Sequence, residues 1–503
     1  MPLPTRRAGR SAADVLEVEN PFTGEVLGTV RRCTPTGVER AVGRARAAQR
    51  NWRSSTFEER KRVLLRYHDL LLDRQDEILD IIQLETGKAR RHAFEEVVDN
   101  ALVARYYATT GREHLRPRRR QGAFPLLTDA WEYRHPVGVV GVISPWNYPL
   151  TLSLGDALPA LAAGNGVVMM PDALTPFSAL WGAALLAEAG LPEGLAQVIT
   201  GFGEELGPHL VDSVDYVMFT GSTETGRMVA RQAGERLIPS SMELGGKNAM
   251  IILEDADLGW TVRGAEHALF SNAGQLCISM ERLLVHESVA EELTRRLVAR
   301  IREMRLGNTL DFRPDLGSLI SRDQLDRVRG HVEDAVARGA TVLAGGRHRP
   351  DIGPYFFEPT LLAGVQEGMR VFDEETFGPV AAIAVFGSDE EAVTRANGSP
   401  YGLNFSVWTR DLERGRRLAT RLEAGTVNIN EGYAAAWASI DAPMGGMKES
   451  GLGRRHGAYG IQKYTEQQTV AAQRLVPVTG PAEVPFWLWA KGMTAALKLL
   501  RRL

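Results

Sequence analysis

Cysteine is scarce: only Cys33 and Cys277 occur in 503 residues, too few for a disulfide framework. One bridge across so long a chain is a poor prospect, so the count points to a reducing compartment and leaves room for one functional thiol. Long hydrophobic runs are also missing. No stretch of 18 or more apolar residues occurs, so nothing would span a bilayer as a helix. The first segment, Met1 to Ala12, carries three arginines but lacks the apolar stretch of a secretory signal, and cytoplasmic residence is expected. Neither sign of charge dominates: the net charge is −3, which gives no global pull toward nucleic acid or a membrane. The densest basic run, Arg116-Pro117-Arg118-Arg119-Arg120, has no interleaved aromatic residues and reads as a solvated loop. No cluster with metal-ligand spacing stands out, and no metal is expected.

What is present suits a large globular enzyme. Apolar residues make up 44%, enough for the cores of two or three domains. Residues 35–110 read as helices, and Thr56-Phe57-Glu58-Glu59 has the pattern of a capping box. Strand-like runs follow at 137–143, 167–170, 196–200 and 216–220, with a helix at 177–189 among them. Such alternation predicts a doubly wound parallel sheet. A second alternating region, from about 249 to 440, contains strand-like runs at 249–253, 381–385 and 406–409. The expected fold class is α/β, with two lobes and a crevice between them.

Four segments carry candidate chemistry. Cys277 closes Ser271-Asn272-Ala273-Gly274-Gln275-Leu276-Cys277. A lone cysteine is usually a small core residue, but small and polar neighbours with a glycine suggest a close backbone approach and a usable nucleophile. Glu243 precedes Leu244-Gly245-Gly246; it is either a loop charge or a general base. Asn147 lies in Ser144-Pro145-Trp146-Asn147-Tyr148-Pro149, where two prolines stiffen a loop that could aim an amide N–H at an oxyanion. Thr220-Gly221-Ser222-Thr223 reads as a strand end opening a helix, whose N–H groups suit a pyrophosphate.

Taken together and in this order, these segments resemble the aldehyde dehydrogenase superfamily. The resemblance runs from about Asn20 to Thr469 and includes Asn20-Pro21-Phe22-Thr23-Gly24, Glu374-Glu375-Thr376-Phe377-Gly378-Pro379 and Pro443-Met444-Gly445-Gly446. It implies that Cys277 is the nucleophile, Glu243 the general base, and that the Asn147 side chain and the Cys277 N–H form the oxyanion hole. It implies a cofactor site formed by Ser144, Pro145, Trp146, Asn147, Met170, Pro171, Asp172, Ala173, Gly221, Ser222, Leu244, Glu375 and Phe377. The implied reaction passes from a thiohemiacetal on Cys277, with hydride loss to a nicotinamide, to a thioester hydrolysed by water. The implied domains are 1–120 and 142–243 for the cofactor, with 443–460 returning to it, and 244–442 for catalysis. Oligomerisation strands at 121–141 and 461–480 imply a homodimer or homotetramer, and 481–503 forms a tail.

Several features depart from the family pattern. The family's Lys-Pro-Ser-Glu is replaced by Met170-Pro171-Asp172-Ala173. Losing the glutamate leaves room for a 2′-phosphate, while losing the lysine removes a cation that would favour it, so NADP or NAD is expected with a lean to NADP. Within the family, Pro145-Trp146-Asn147-Tyr148-Pro149, Ile278-Ser279-Met280-Glu281-Arg282, Gly453-Arg454-Arg455-His456-Gly457 and Lys463-Tyr464-Thr465-Glu466 resemble the actinobacterial succinate-semialdehyde dehydrogenases. A distal carboxylate wants an arginine, yet Leu150 to Asp156 supplies an acid and no arginine; Arg282, Arg454 and Arg455 are the alternatives. Phe486, Trp489, Met493, Ala496, Leu500 and Leu503 recur at helical spacing beside Lys491, Lys498, Arg501 and Arg502. The tail is therefore expected to be a basic amphipathic helix that packs on the enzyme or a neighbouring subunit, or else touches a membrane surface. Rival readings are a CoA-acylating dehydrogenase, which Glu243 argues against, a cysteine–histidine hydrolase, and a catalytically silent binding protein.

Overall fold

A computed structural model describes residues 14–124, 127–474 and 476–501. The N-terminal Met1 to Ala12 and the tail residues Arg502 and Leu503 lie outside the described residues.

The predicted helical region holds four helices, Pro35–Trp52, Phe57–Asp73, Gln75–Thr86 and Arg90–Leu115. The second opens on the expected capping box. The Thr56 hydroxyl accepts from the Glu59 N–H, and the Glu59 carboxylate accepts from the Thr56 N–H at 2.7 Å. The apolar faces of the last three share the core on one side of a six-stranded sheet, whereas Val38, Ala41, Val42 and Ala45 of Pro35–Trp52 pack on its other side.

That sheet runs Gly451–Leu452, Ser240–Glu243, Tyr216–Thr220, Val139–Ser144, Gly166–Pro171, Ala196–Val198, all parallel except the first. Every residue of Val139–Ser144 and Gly166–Pro171 is buried, as expected of strands covered on both faces. Val139–Ser144 comes first among the parallel strands in the chain, and its two neighbours lead away in opposite directions. The sheet therefore has its topological switch point between Val139–Ser144 and Tyr216–Thr220, and a crevice opens past their carboxyl ends. Ser144 to Asn147 and Gly221 to Ser222 are the residues at that place.

The second sheet has seven strands, in the order Thr341–Ala344, Thr360–Ala363, Val380–Phe386, Met280–His286, Asn248–Ile252, Asn404–Trp408, Thr426–Ile429. Only the first is antiparallel. Cys277, Glu375 and Phe377 all lie just before strands of this sheet. The carboxyl edge of the first sheet thus faces the amino edge of the second.

The segment 121–141 serves two sheets. Thr128–Pro136 joins a three-stranded antiparallel sheet with Thr465–Gln473 and Arg118–Arg120, whereas Val139 onward belongs to the first sheet. Arg118–Arg120, expected as a solvated loop, is therefore an edge strand. Its pairing with Thr128–Pro136 sets Arg119 beside Asp129 and Arg120 against Glu132, which supplies the cross-strand charge complement. The tail segment Phe486–Leu500 is helical as predicted; most of it is exposed, with Trp489, Ala490, Met493 and Leu500 partly covered.

Candidate active site

The thiol segment is held by unusual backbone. Asn272 and Ala273 have φ of 50° and 53°, and Gly274 follows at φ 70°. Consecutive left-handed residues that are not glycine cost energy and persist only where their surroundings enforce them. Here the enforcement is visible. The Asn272 amide donates to the carbonyls of Asn147 (3.0 Å) and Gln275 (3.1 Å). A Cβ on Gly274 would lie 2.0 Å from the Gly378 carbonyl oxygen, so only glycine fits. The bent turn delivers Cys277 ahead of the strand Met280–His286, partly exposed against Tyr148, Leu152, Leu276, Ile278, Leu403, Tyr433 and Met444.

Glu243 ends the strand Ser240–Glu243, directly opposite Thr220 and Gly451. The Gly245-Gly246 pair after it permits close approach to the thiol segment. A Cβ on Gly246 would lie 2.6 Å from the Cys277 carbonyl oxygen. That carbonyl accepts from the Asn248 amide at 2.7 Å, which ties the two chemical segments together.

Asn147 is buried, and its amide nitrogen donates to the Gln275 carbonyl at 3.1 Å. A primary amide has a second N–H, which is the one free to meet an oxyanion. The loop carrying it is anchored by two residues that sequence reasoning missed. Lys88 is fully buried and donates to the Asn147 carbonyl and to the Glu96 carboxylate, each at 2.6 Å. The second Glu96 oxygen accepts from the N–H groups of Leu150 (2.9 Å) and Thr151 (3.1 Å), where the helix Pro149–Ala162 begins. No local pattern marks Lys88 or Glu96; only the fold brings them under the loop. Replacing Asn147 with alanine should lower kcat by about 10²- to 10³-fold, the cost of one oxyanion donor, with little change in thermal stability. Steady-state kinetics beside a melting curve checks this, and a kcat within a few-fold of wild type would remove Asn147 from the oxyanion site.

The electrostatics fit acid–base work. Burial pushes the Glu243 carboxyl up to about 7, opposed by the positive charges of Arg455 and Lys463. One Glu243 oxygen is buried with no hydrogen-bond partner among the described residues, which leaves it available to a water or a proton. Burial also pushes the Cys277 thiol up to about 12, reinforced by the carboxylates of Glu375 and Glu243.

The residues expected to hold a cofactor fall into three places. Ser144, Pro145 and Trp146 follow the first strand of the switch point, and Gly221 and Ser222 follow its neighbour. Ser222 caps the helix Thr223–Glu235, accepting from the Thr225 N–H, so that helix aims its N-terminus at the crevice. Leu244 is buried against Gly226 of the same helix. Glu375 accepts from the Gly246 N–H at 2.9 Å, and Phe377 meets the Trp146 ring edge-on at 5.4 Å. Lys247 and Glu281 form a buried ion pair that fixes this loop. Lys247 also donates to the Glu374 carbonyl at 2.7 Å, and Glu281 accepts from the N–H groups of Thr376 and Phe377. In the third place, Met170 is in the hydrophobic core and Pro171 is buried, while Asp172 and Ala173 are partly exposed at the strand end. Switch point, helix N-terminus and a half-buried carboxylate beside an aromatic pair fit a nicotinamide dinucleotide.

Of the arginines proposed for a distal carboxylate, Arg282 and Arg455 are committed elsewhere, and Arg454 is engaged through one Nη near Glu243. Arg282 donates to the carbonyls of Lys247, Arg395 and Ala396. Arg454 donates to those of Gly446 and Gly453. Arg455 forms a buried ion pair with Asp156, which Lys463 and Tyr464 also meet at 3.1 and 3.0 Å. The acid that looked out of place at 156 is thus the centre of a buried charge cluster. Arg455, Asp156, Asp99 and Thr151 surround a cavity of about 20 Å³, the size of a water molecule.

A thiol, a buried carboxylate and an oriented amide meet at the mouth of a crevice suited to a dinucleotide, an arrangement that fits an oxidoreductase. Comparison with known proteins agrees. The model of the aldehyde dehydrogenase family matches residues 8–470, and the chain belongs to that family. A protein of Mycolicibacterium smegmatis provisionally named succinate-semialdehyde dehydrogenase [NADP(+)] is 51% identical over 97% of this chain and 94% of its own. Among solved structures, an E. coli NADP-dependent enzyme matches with TM-score 0.88 and 34% identity, covering 92% of this chain and 95% of that one. Betaine aldehyde dehydrogenase of Staphylococcus aureus, solved with NAD+, gives TM-score 0.87 and 32% identity, covering 93% and 94%.

Proposed function

We propose that the chain oxidises succinate semialdehyde to succinate, with Cys277 as nucleophile, Glu243 as general base, Asn147 as oxyanion donor and NADP as preferred cofactor. One observation carries the reading: the Cys277, Glu243 and Asn147 segments meet at one crevice in a chain 51% identical to the M. smegmatis protein. The lobe built on the six-stranded sheet would bind the cofactor, with Ser144 to Asn147, Pro171 to Ala173, Gly221, Ser222, Leu244, Glu375 and Phe377 around it. The bound nicotinamide would supply the hydride acceptor. The protein's own part is to release the Cys277 thiol proton to solvent, form the S–C bond from its sulfur to the aldehyde carbon, and hold the resulting oxyanion at Asn147. After oxidation to the thioester, Glu243 takes a proton from the attacking water. The three-stranded sheet carries the exposed strand Thr465–Gln473, which fits assembly as a homodimer or homotetramer. Two free thiols fit a cytoplasmic setting.

A second reading, an enzyme for aliphatic or aromatic aldehydes, is favoured by the apolar cluster beside Cys277 and by the commitment of Arg455 to Asp156. Following reduced cofactor by absorbance separates the two, with succinate semialdehyde, aliphatic and aromatic aldehydes each offered with NADP and with NAD. The highest kcat/KM belongs to succinate semialdehyde with NADP on the first reading. A higher value for an uncharged aldehyde overturns it.

Cofactor preference has its own test. Ala173 stands at the end of Gly166–Pro171, where a glutamate would meet a 2′-phosphate with like charge. Ala173→Glu should lower the ratio of kcat/KM for NADP over NAD by tenfold or more, given that like charges in contact cost several kcal/mol. An unchanged ratio would show that Ala173 does not face the ribose.

A further inference from the structure

We propose that the helix Phe486–Leu500 is a membrane-surface element that docks the enzyme on anionic lipid. The helix stands off the fold. Within it Phe486 is 72% exposed, Trp487 61%, Leu497 55% and Leu499 64%. Its attachment is local: the Trp489 indole N–H donates to the Val478 carbonyl, and its ring covers Gly480.

The distribution of these residues selects the occupant. At roughly 100° per residue, Phe486 and Leu497 lie on one side of the helix, and Leu488 and Leu499 lie nearly opposite. The cations Lys491, Lys498 and Arg501 form a narrow strip between them. The apolar residues therefore cover about half of the helix surface, wider than the minimal stripe of roughly 100° that a helix packed on a protein core needs. A fluid apolar phase wraps around both sides while the lysines extend along the strip toward phosphates. The charge is one-sided as well. From Pro485 onward the chain has four cations and no acid, although its net charge is −3. Trp487 and Trp489 have the amphipathic rings that settle at headgroup depth, and Lys491 sits 5.2 Å from the Trp487 ring. No described helix is long and apolar enough to cross a membrane, so the docking is to one face. The family match ends at residue 470, before this helix.

The test is co-sedimentation of the full-length protein with phosphatidylcholine vesicles, with and without phosphatidylglycerol. The expected result is binding to the anionic vesicles only, weakened by high salt. Lys491→Gln/Lys498→Gln should lower the partition coefficient roughly 30-fold, from two cations near an anionic surface. Deletion of residues 481–503 should abolish binding and leave dehydrogenase activity intact, which shows that the variant is folded. Failure of the wild-type protein to bind anionic vesicles overturns the proposal, as does equal binding by the double variant. A smaller solution mass by light scattering for the truncated protein, with no vesicle binding by the full chain, would assign the helix to contact between copies instead.

Discussion

Cys277→Ala should abolish aldehyde-dependent formation of reduced cofactor, to below one part in 10⁴ of the wild-type rate, while cofactor binding persists. The size of the effect follows from the chemistry. Without the thiol no tetrahedral thiohemiacetal forms, and the trigonal carbon of the free aldehyde is a poor hydride donor. The thiol is held up at about 12 by burial and by two neighbouring carboxylates, so the cofactor-free enzyme carries it protonated. Alkylation of Cys277 by iodoacetamide should therefore be slow at pH 7 and should rise steadily with pH, since the thiolate is the reactive form. Cys33 supplies an internal comparison, because its thiol is also raised by burial but packs against a different cluster from the one beside Cys277. Peptide mapping after partial labelling distinguishes the two. Full turnover in Cys277→Ala would end the covalent reading outright.

The large features of this fold can be read in the chain because each is a local consequence of burial. Val139–Ser144 is a continuous apolar run since both its faces are covered, and the Thr56 capping box needs only four consecutive residues. Cys277, Glu243 and Asn147 stand out because each sits in a segment of small or rigid residues. What could not be read is assembled from distant parts. Asp156 looked like an anomaly until Arg455 and Lys463 met it from 299 and 307 residues away. Lys88 and Glu96 lie in an unremarkable helical region, yet they hold the loop that carries Asn147. Nothing in an alanine announces a left-handed φ, so the strained turn at Asn272 and Ala273 shows only in the backbone. The strand Arg118–Arg120 was hidden for a similar reason: arginine has little strand preference, and the acids that complement it are on another strand.

Glu243→Gln should separate the two halves of the reaction. The first half makes the thioester, and the carboxylate of Glu243 slightly disfavours it by raising the Cys277 thiol. Removing that charge leaves acylation intact, so a burst of about one equivalent of reduced cofactor per active site is expected. The second half needs a base for water. Its loss should lower the steady-state rate by about 10²- to 10⁴-fold, the usual contribution of a general base, and an acyl group should be found on Cys277 by mass spectrometry. The sign of the pH dependence follows from the raised carboxyl. Below about 7 Glu243 is protonated and cannot accept a proton; above it the base form dominates. Wild-type deacylation should therefore rise with pH through about 7, and the glutamine variant should lose that limb. The Lys463 and Arg455 charges oppose the upward shift, so Arg455→Met should move the limb to higher pH. A variant with neither burst nor acyl-cysteine would place Glu243 in the first half of the reaction, as the base that takes the thiol proton.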